Sequence, residues 1–210
     1  MRQLLLDIPF LSGPSFSDFI PGVNQELLAY LANWHKTGEK WVYIWGEKGC
    51  GKSHLLKAAV NAFIESGEKA GYFESGHIPD LSWLESHDLL ALDDTHLLDA
   101  EGQVALFVLL NQVKEGKCHL LLSGDNAPSL LKIRPDVSTR LGYGLVFHVH
   151  SLTDWDKKEA LSAYARSRDL KVSSEIIEYL LNHTQRDMPS LIQLLDTLLM
   201  SSLETKRPIT

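Results

Sequence analysis

Apolar and polar positions alternate along the chain in two different rhythms, and the change between them sets the fold class. Trp41–Trp45 is a short continuous apolar run, and Lys52–Ser66 follows with Leu55, Leu56, Ala59 and Phe63 at helical spacing. Further short runs fall at Ala70–Glu74, Leu89–Asp93, Cys118–Ser123 and Leu145–Val149, with a helical stretch at Val104–Lys114. Strands that alternate with helices, and are apolar on both faces, predict a parallel sheet covered on each side. Ahead of them, Asn24–His35 reads as a helix with Leu27, Leu28 and Leu31 on one stripe.

Near Ser151 the rhythm changes to helix alone: Trp155–Arg168, Ser174–His183 and Pro189–Leu203. Thr153 or Asp154 is a plausible cap for the first and Ser173 for the second. The expected architecture is an α/β nucleotide-binding domain over residues 13–150, with a five-stranded parallel sheet between helical layers. A small α-helical lid follows over 151–210. Residues 1–12 precede the breaker cluster Ser12-Gly13-Pro14-Ser15 and read as a tail.

Composition narrows the chemistry. With 210 residues and 44% hydrophobic content the chain can bury a core of ordinary size. Twenty Lys and Arg stand against 27 Asp and Glu, for a net charge of −7, and the basic residues are scattered. Direct, strong DNA binding needs concentrated positive charge and is therefore not expected. Cys50 and Cys118 lack metal-ligand or disulfide-framework spacing. His148 and His150 alternate as strand residues do and are read as surface groups. No run approaches the ~20 apolar residues of a membrane span, and the start of the chain lacks a secretion signal. The expected compartment is cytoplasmic.

The candidate chemistry starts at Gly46-Glu47-Lys48-Gly49-Cys50-Gly51-Lys52-Ser53, which fits GxxxxGK followed by Ser or Thr between a strand and a helix. Glycines there let backbone amides wrap phosphates, Lys52 reaches the β- and γ-phosphates, and Ser53 coordinates Mg²⁺. ATP or ADP with Mg²⁺ is the expected cofactor. Leu89–Asp94 is an apolar strand ending in two carboxylates. Asp93 is the candidate Mg²⁺-shell residue, and Asp94 the candidate base that polarises an attacking water. Asp125, in Ser123-Gly124-Asp125, can sense a γ-phosphate from a strand tip. Arg140, just before the fifth strand, has the planar fork that suits a phosphate in a neighbouring subunit.

Taken in this order, the motifs resemble an AAA+ ATPase of the DnaA clade. Phe16-Ser17-Asp18-Phe19-Ile20-Pro21-Gly22 is similar to that clade's lead-in segment, which implies that Ile20 and Pro21 lie beside the adenine. The resemblance covers roughly residues 13–204. The chain carries neither a C-terminal helix-turn-helix domain nor the initiator's N-terminal helicase-contacting domain, so a relative of the initiator is expected. Gln3-Leu4-Leu5-Leu6-Asp7-Ile8 is similar to peptides that dock on the bacterial sliding clamp, with Gln3 as polar anchor and Leu4, Leu6 and Ile8 as apolar contacts.

The resemblance implies a negative regulator of replication initiation. It would ride on the DNA-loaded β clamp of DNA polymerase III and meet ATP-bound DnaA across an AAA+ interface. Arg140 would then act as an arginine finger in trans, leaving this chain a weak ATPase at most. A homo-dimer is compatible with the same interface. In Gln185–Leu191, Pro189 stands where DnaA-like lids carry an arginine, which bears on self-hydrolysis. The alternatives are a self-contained AAA+ ATPase or a DnaC-type helicase loader, and more distantly a P-loop kinase.

Overall fold

Five short strands organise the molecule: β1 (Trp41–Trp45), β2 (Ala70–Phe73), β3 (Leu89–Leu92), β4 (His119–Gly124) and β5 (Leu145–His148). They pair in the order β2-β3-β4-β1-β5, every pair parallel. The computed structural model describes residues 13–34, 38–74, 77–167, 172–184 and 187–205. The tail at 1–12, with Gln3, Leu4, Leu6 and Ile8, lies outside the described residues, as does Arg186.

Parallel pairing requires crossovers, and helices supply them on both faces. These are α1 (Gln25–Asn33), α2 (Lys52–Glu65), α3 (Ser82–Ser86), α4 (Ala100–Val113) and α5 (Pro135–Leu141). Side chains alternate along β1, so Val42 and Ile44 face α1 and α2, beside Leu27, Leu31, Leu55, Leu56 and Phe63. Trp41 and Tyr43 face the opposite layer, with Leu106, Leu109 and Leu110 of α4 and Val137 and Leu141 of α5. All four residues of β3 are buried, which is why that strand reads as an unbroken apolar run. Burying each such leucine contributes about 1.5–3 kcal/mol.

The sheet is followed by α6 (Asp154–Ser167), α7 (Ser174–His183) and α8 (Met188–Thr205). They share a separate core of Leu161, Ala165, Ile177, Leu180, Leu181, Leu191 and Leu195. At the start of α6, Thr153 and Asp156 form a reciprocal cap. The Asp156 N–H donates to Thr153 Oγ1 at 3.1 Å, and the Thr153 N–H donates to Asp156 Oδ2 at 3.0 Å. Ser173 occupies the cap position of α7 without a side-chain cap bond.

Several boundaries differ from the periodicity. α1 ends at Asn33, and its C-cap Trp34 is fully buried, the indole N–H donating to the Glu39 carbonyl at 3.0 Å; the expected end at His35 lies outside the described residues. α4 begins four residues before Val104, at Ala100, where Asp99 accepts the Gly102 N–H at 2.8 Å. α3 and α5 are too short to show a helical period, at five and seven residues. α5 nonetheless has Pro at its first position and buries Val137 and Leu141, one turn apart.

One clamp ties the lead-in segment to the far edge of the sheet. Buried Asn24 donates through Nδ2 to the His150 carbonyl at 2.9 Å and accepts the His150 N–H through Oδ1 at 2.8 Å. Asn24→Ala removes both bonds and leaves two backbone groups unpaired. We expect a loss of about 1–3 kcal/mol, read as a lower urea midpoint with unchanged m-value. An unchanged midpoint would show that the clamp contributes nothing.

Candidate functional site

The loop at 46–53 leaves β1, which lies between β4 and the edge strand β5. The Gly46 N–H reaches the Gly124 carbonyl at 3.4 Å on one side, and the Val149 N–H donates to the Trp45 carbonyl at 2.7 Å on the other. A Cβ on Gly46 would stand 2.4 Å from the Val149 oxygen, so only glycine fits. Gly51 has φ +103°, and a Cβ there would meet the Phe19 ring at 2.5 Å. Gly49 and Cys50 lie between them, the former at φ +85°. The Cys50 thiol is buried, and burial pushes its ionisation up.

Lys52 opens α2 and is 8% exposed, its ammonium donating to the carbonyls of Gly46 at 2.7 Å and Glu47 at 3.0 Å. Its charge, with the unpaired amides at the start of a 14-residue helix, makes a site suited to an anion. Glu47 and Lys48 are exposed on the loop, and Ser53 is exposed at the second position of α2. These residues fit the phosphates of a nucleotide.

The second half of the site is an acidic cluster at the carboxyl ends of β3 and β4. Asp93 is 5% exposed. Its Oδ1 accepts the Ser123 hydroxyl and the Asp94 N–H, the latter at 3.1 Å. Its Oδ2 accepts the Tyr72 hydroxyl at 2.7 Å. Burial and the bond to Asp93 raise the ionisation of Tyr72, so its phenol stays a donor. The Asp94 N–H is shared with Ser123 Oγ at 2.8 Å, and Thr95 Oγ1 donates to the Ser123 carbonyl at 2.7 Å. Asp94 adopts left-handed φ +48° and ψ +47°, a conformation that aspartate tolerates better than most residues. Its carboxylate is about one-third exposed, 4.0 Å from His96 Nδ1. Among the described residues no three His, Cys, Asp or Glu side chains cluster to hold a metal. Mg²⁺ here would rest on Ser53, Asp93 and the nucleotide's phosphates, as Mg²⁺ commonly does.

The lead-in segment runs across the loop. The Ser15 carbonyl pairs with His54 Nε2 at 2.9 Å, and the Phe19 ring lies 5.7 Å from that imidazole. Half-buried Ile20 and Pro21 follow, with a turn closed by the Asn24 N–H on the Pro21 carbonyl at 2.7 Å. The lid meets the loop from the other side, where Asp187 Cβ lies 3.7 Å from the position a Cβ on Gly49 would take. Asp187 also accepts the Ser190 N–H at 3.0 Å, starting α8 with Pro189 as its second residue.

Asp125 lies exposed just beyond β4, whereas the hydroxyl that touches Asp93 belongs to buried Ser123, two residues earlier. Ser123, Thr95, Tyr72 and Phe19 are the contacts that sequence reasoning missed. Ser123 alone had a signal, as a polar residue closing an apolar strand. His148 and His150 do share a face, with rings 4.1 Å apart and His148 stacked on Trp45 at 4.0 Å.

Arg140 occupies the last turn of α5, its guanidinium carbon 5.6 Å from the Phe107 ring centre and 5.9 Å from that of Tyr143. Among the described residues it has no ion pair, unlike Arg134, which binds Asp136 at 2.7 Å. The next residue, Leu141, accepts the Trp41 indole N–H at 3.4 Å. Arg140 therefore lies by the start of β1, while the phosphate loop leaves its end, roughly 13 Å along the strand.

Residues 154–210 match the family model described as the Hda lid domain. An uncharacterized protein of Haemophilus influenzae is 33% identical over 222 residues, covering 100% of this chain and 95% of that protein. Among solved structures, domain III of the Thermotoga maritima replication initiation protein DnaA superposes with a TM-score of 0.76 at 18% identity, covering 93% of this chain and 91% of that one. DnaA from Aquifex aeolicus bound to AMPPCP gives 0.74 at 22% identity, over 88% and 65%. These structural likenesses establish the AAA+ fold. With the lid match and the full-length relative, they place this chain in the Hda family of DnaA-related AAA+ proteins.

Proposed function

We propose that this chain is a nucleotide-bound negative regulator of replication initiation that stimulates ATP hydrolysis on DnaA. The observation that carries the reading is the position of Arg140. Among the described residues it stands without a carboxylate partner on a Phe107–Tyr143 platform, at the opposite end of β1 from the chain's own phosphate loop. An arginine so placed serves a phosphate on another molecule, which makes it a finger in trans. Such a finger stabilises charge on the transferring phosphoryl group as the bond to the leaving oxygen breaks.

The chain's own nucleotide, ADP or ATP with Mg²⁺, then acts as a conformational setting. Lys52 and the loop amides hold the phosphates, Ser53 and Asp93 hold the metal shell, and Ile20 and Pro21 flank the base. Bound Mg²⁺ would neutralise phosphate charge. Asp94 retains a base-like position, so slow self-hydrolysis is expected. Pro189 at the start of α8, where DnaA-like lids carry arginine, supports that weakness. The tail residues Gln3, Leu4, Leu6 and Ile8 recruit the β sliding clamp of DNA polymerase III, which concentrates the chain near DNA. No helix among the described residues is long and apolar enough to cross a membrane, in keeping with action in the cytoplasm.

The complete loop and paired acids also support a second reading, a self-contained AAA+ ATPase or helicase loader of the DnaC type. Reconstitution separates the two. With clamp loaded on DNA, we expect this chain to accelerate loss of ATP from DnaA, and Arg140→Ala to reduce that acceleration by about 10³-fold or more. Replacing Gln3 and Leu4 by Ala should likewise abolish the clamp-dependent acceleration. Rapid ATP turnover by the chain alone, with DnaA unaffected, would establish the second reading. Lys52→Ala should weaken nucleotide affinity by at least about tenfold, as expected for loss of a charge-assisted contact. Fluorescent-nucleotide titration reads this directly, and undiminished affinity would remove the loop from the account.

A further inference from the structure

Tyr72 is the one side chain from β2 that reaches the acidic cluster, and the proposed hydrolytic and regulatory roles leave it unused. Its hydroxyl donates to Asp93 Oδ2 at 2.7 Å. This tyrosine thus holds Asp93, one of the two protein groups assigned to the Mg²⁺ shell. Asp93 Oδ1 is meanwhile occupied by Ser123 and the Asp94 N–H. That leaves Oδ2, the oxygen held by Tyr72, as the more open side of the carboxylate. The ring is fixed from behind, with Lys57 Nζ 4.7 Å from its centre.

A Mg²⁺ shell held by Asp93 would draw on the lone pairs of Oδ2. The Tyr72 hydroxyl engages that same oxygen, so metal shell and phenol would compete for it. We infer that Tyr72 is a positioning residue that sets the Mg²⁺ requirement of nucleotide binding, by occupying Asp93 Oδ2 in competition with the metal shell. In this role it makes metal loading graded rather than automatic, and so links the nucleotide setting of the chain to free Mg²⁺. The inference rests on the reading of Ser53 and Asp93 as the metal shell.

The test is Mg²⁺ titration of fluorescent ADP binding to the full chain, comparing wild type, Tyr72→Phe, Asp93→Asn and the double variant. Phenylalanine keeps the ring and its packing and deletes only the hydroxyl. Tyr72→Phe should lower the half-saturating Mg²⁺ concentration by about tenfold, the scale of one hydrogen bond to a charged acceptor. Affinity measured in excess chelator should stay unchanged. In the Asp93→Asn background the same substitution should have no effect on the Mg²⁺ requirement. An unchanged or higher Mg²⁺ requirement in Tyr72→Phe overturns the competition. If wild-type binding ignores Mg²⁺ altogether, the metal-shell reading falls, and the Tyr72 inference falls with it.

Discussion

Everything in this molecule is arranged around one close approach, that of the Gly46 backbone to the carbonyl of Val149. β1 is hydrogen-bonded to β4 on one side and to β5 on the other, so the chain leaving it must pass between two backbones. A Cβ at Gly46 would come within 2.4 Å of the Val149 oxygen, and no side-chain rotation relieves that contact. The loop therefore starts at a fixed point, at the carboxyl edge of a parallel sheet where β1 is flanked by two strands, β4 and β5, that arrive later in the chain. Such points are where open α/β sheets bind ligands. From there the acids of β3, the hydroxyl of β4 and the lid all converge on one edge.

The opposite edge has a different occupant. Leu141 and Gly144 pack against Trp41 at the beginning of β1, which fixes α5 and lifts Arg140 onto two aromatic rings. The length of one short strand, β1, thus separates a phosphate-binding edge from an arginine-bearing edge. That separation, rather than any single residue, supports a division of labour between a nucleotide that sets conformation and an arginine that works on a partner. The lead-in segment adds rigidity. Asn24 locks it to His150, and Phe19 fills the space over Gly51 that a side chain would otherwise need.

Much of this was legible in the residues. The buried strands showed as apolar runs because parallel strands are covered on both faces, and β1 and α7 fall where periodicity placed them. The loop was legible because its glycines and lysine have fixed spacing. α3 and α5 were not, since neither is long enough to develop a period. Arg140 could be singled out, but its aromatic platform depends on Phe107 from a distant helix. Tyr72 gave no local sign at all. Its meaning comes from β2 pairing with β3 in a register that sets Tyr72 opposite Ala91, two residues before Asp93. That Ser123 is buried against Asp93 was equally hidden, because burial at a strand tip is settled by neighbouring strands.

The central claim is that the ATP consumed belongs to the partner. It is tested most directly by placing a γ-phosphate label on one protein at a time, in a mixture of DnaA, this chain and DNA-loaded clamp. The account predicts rapid release of label carried by DnaA and little release of label carried by this chain. Release confined to label carried by this chain would contradict it.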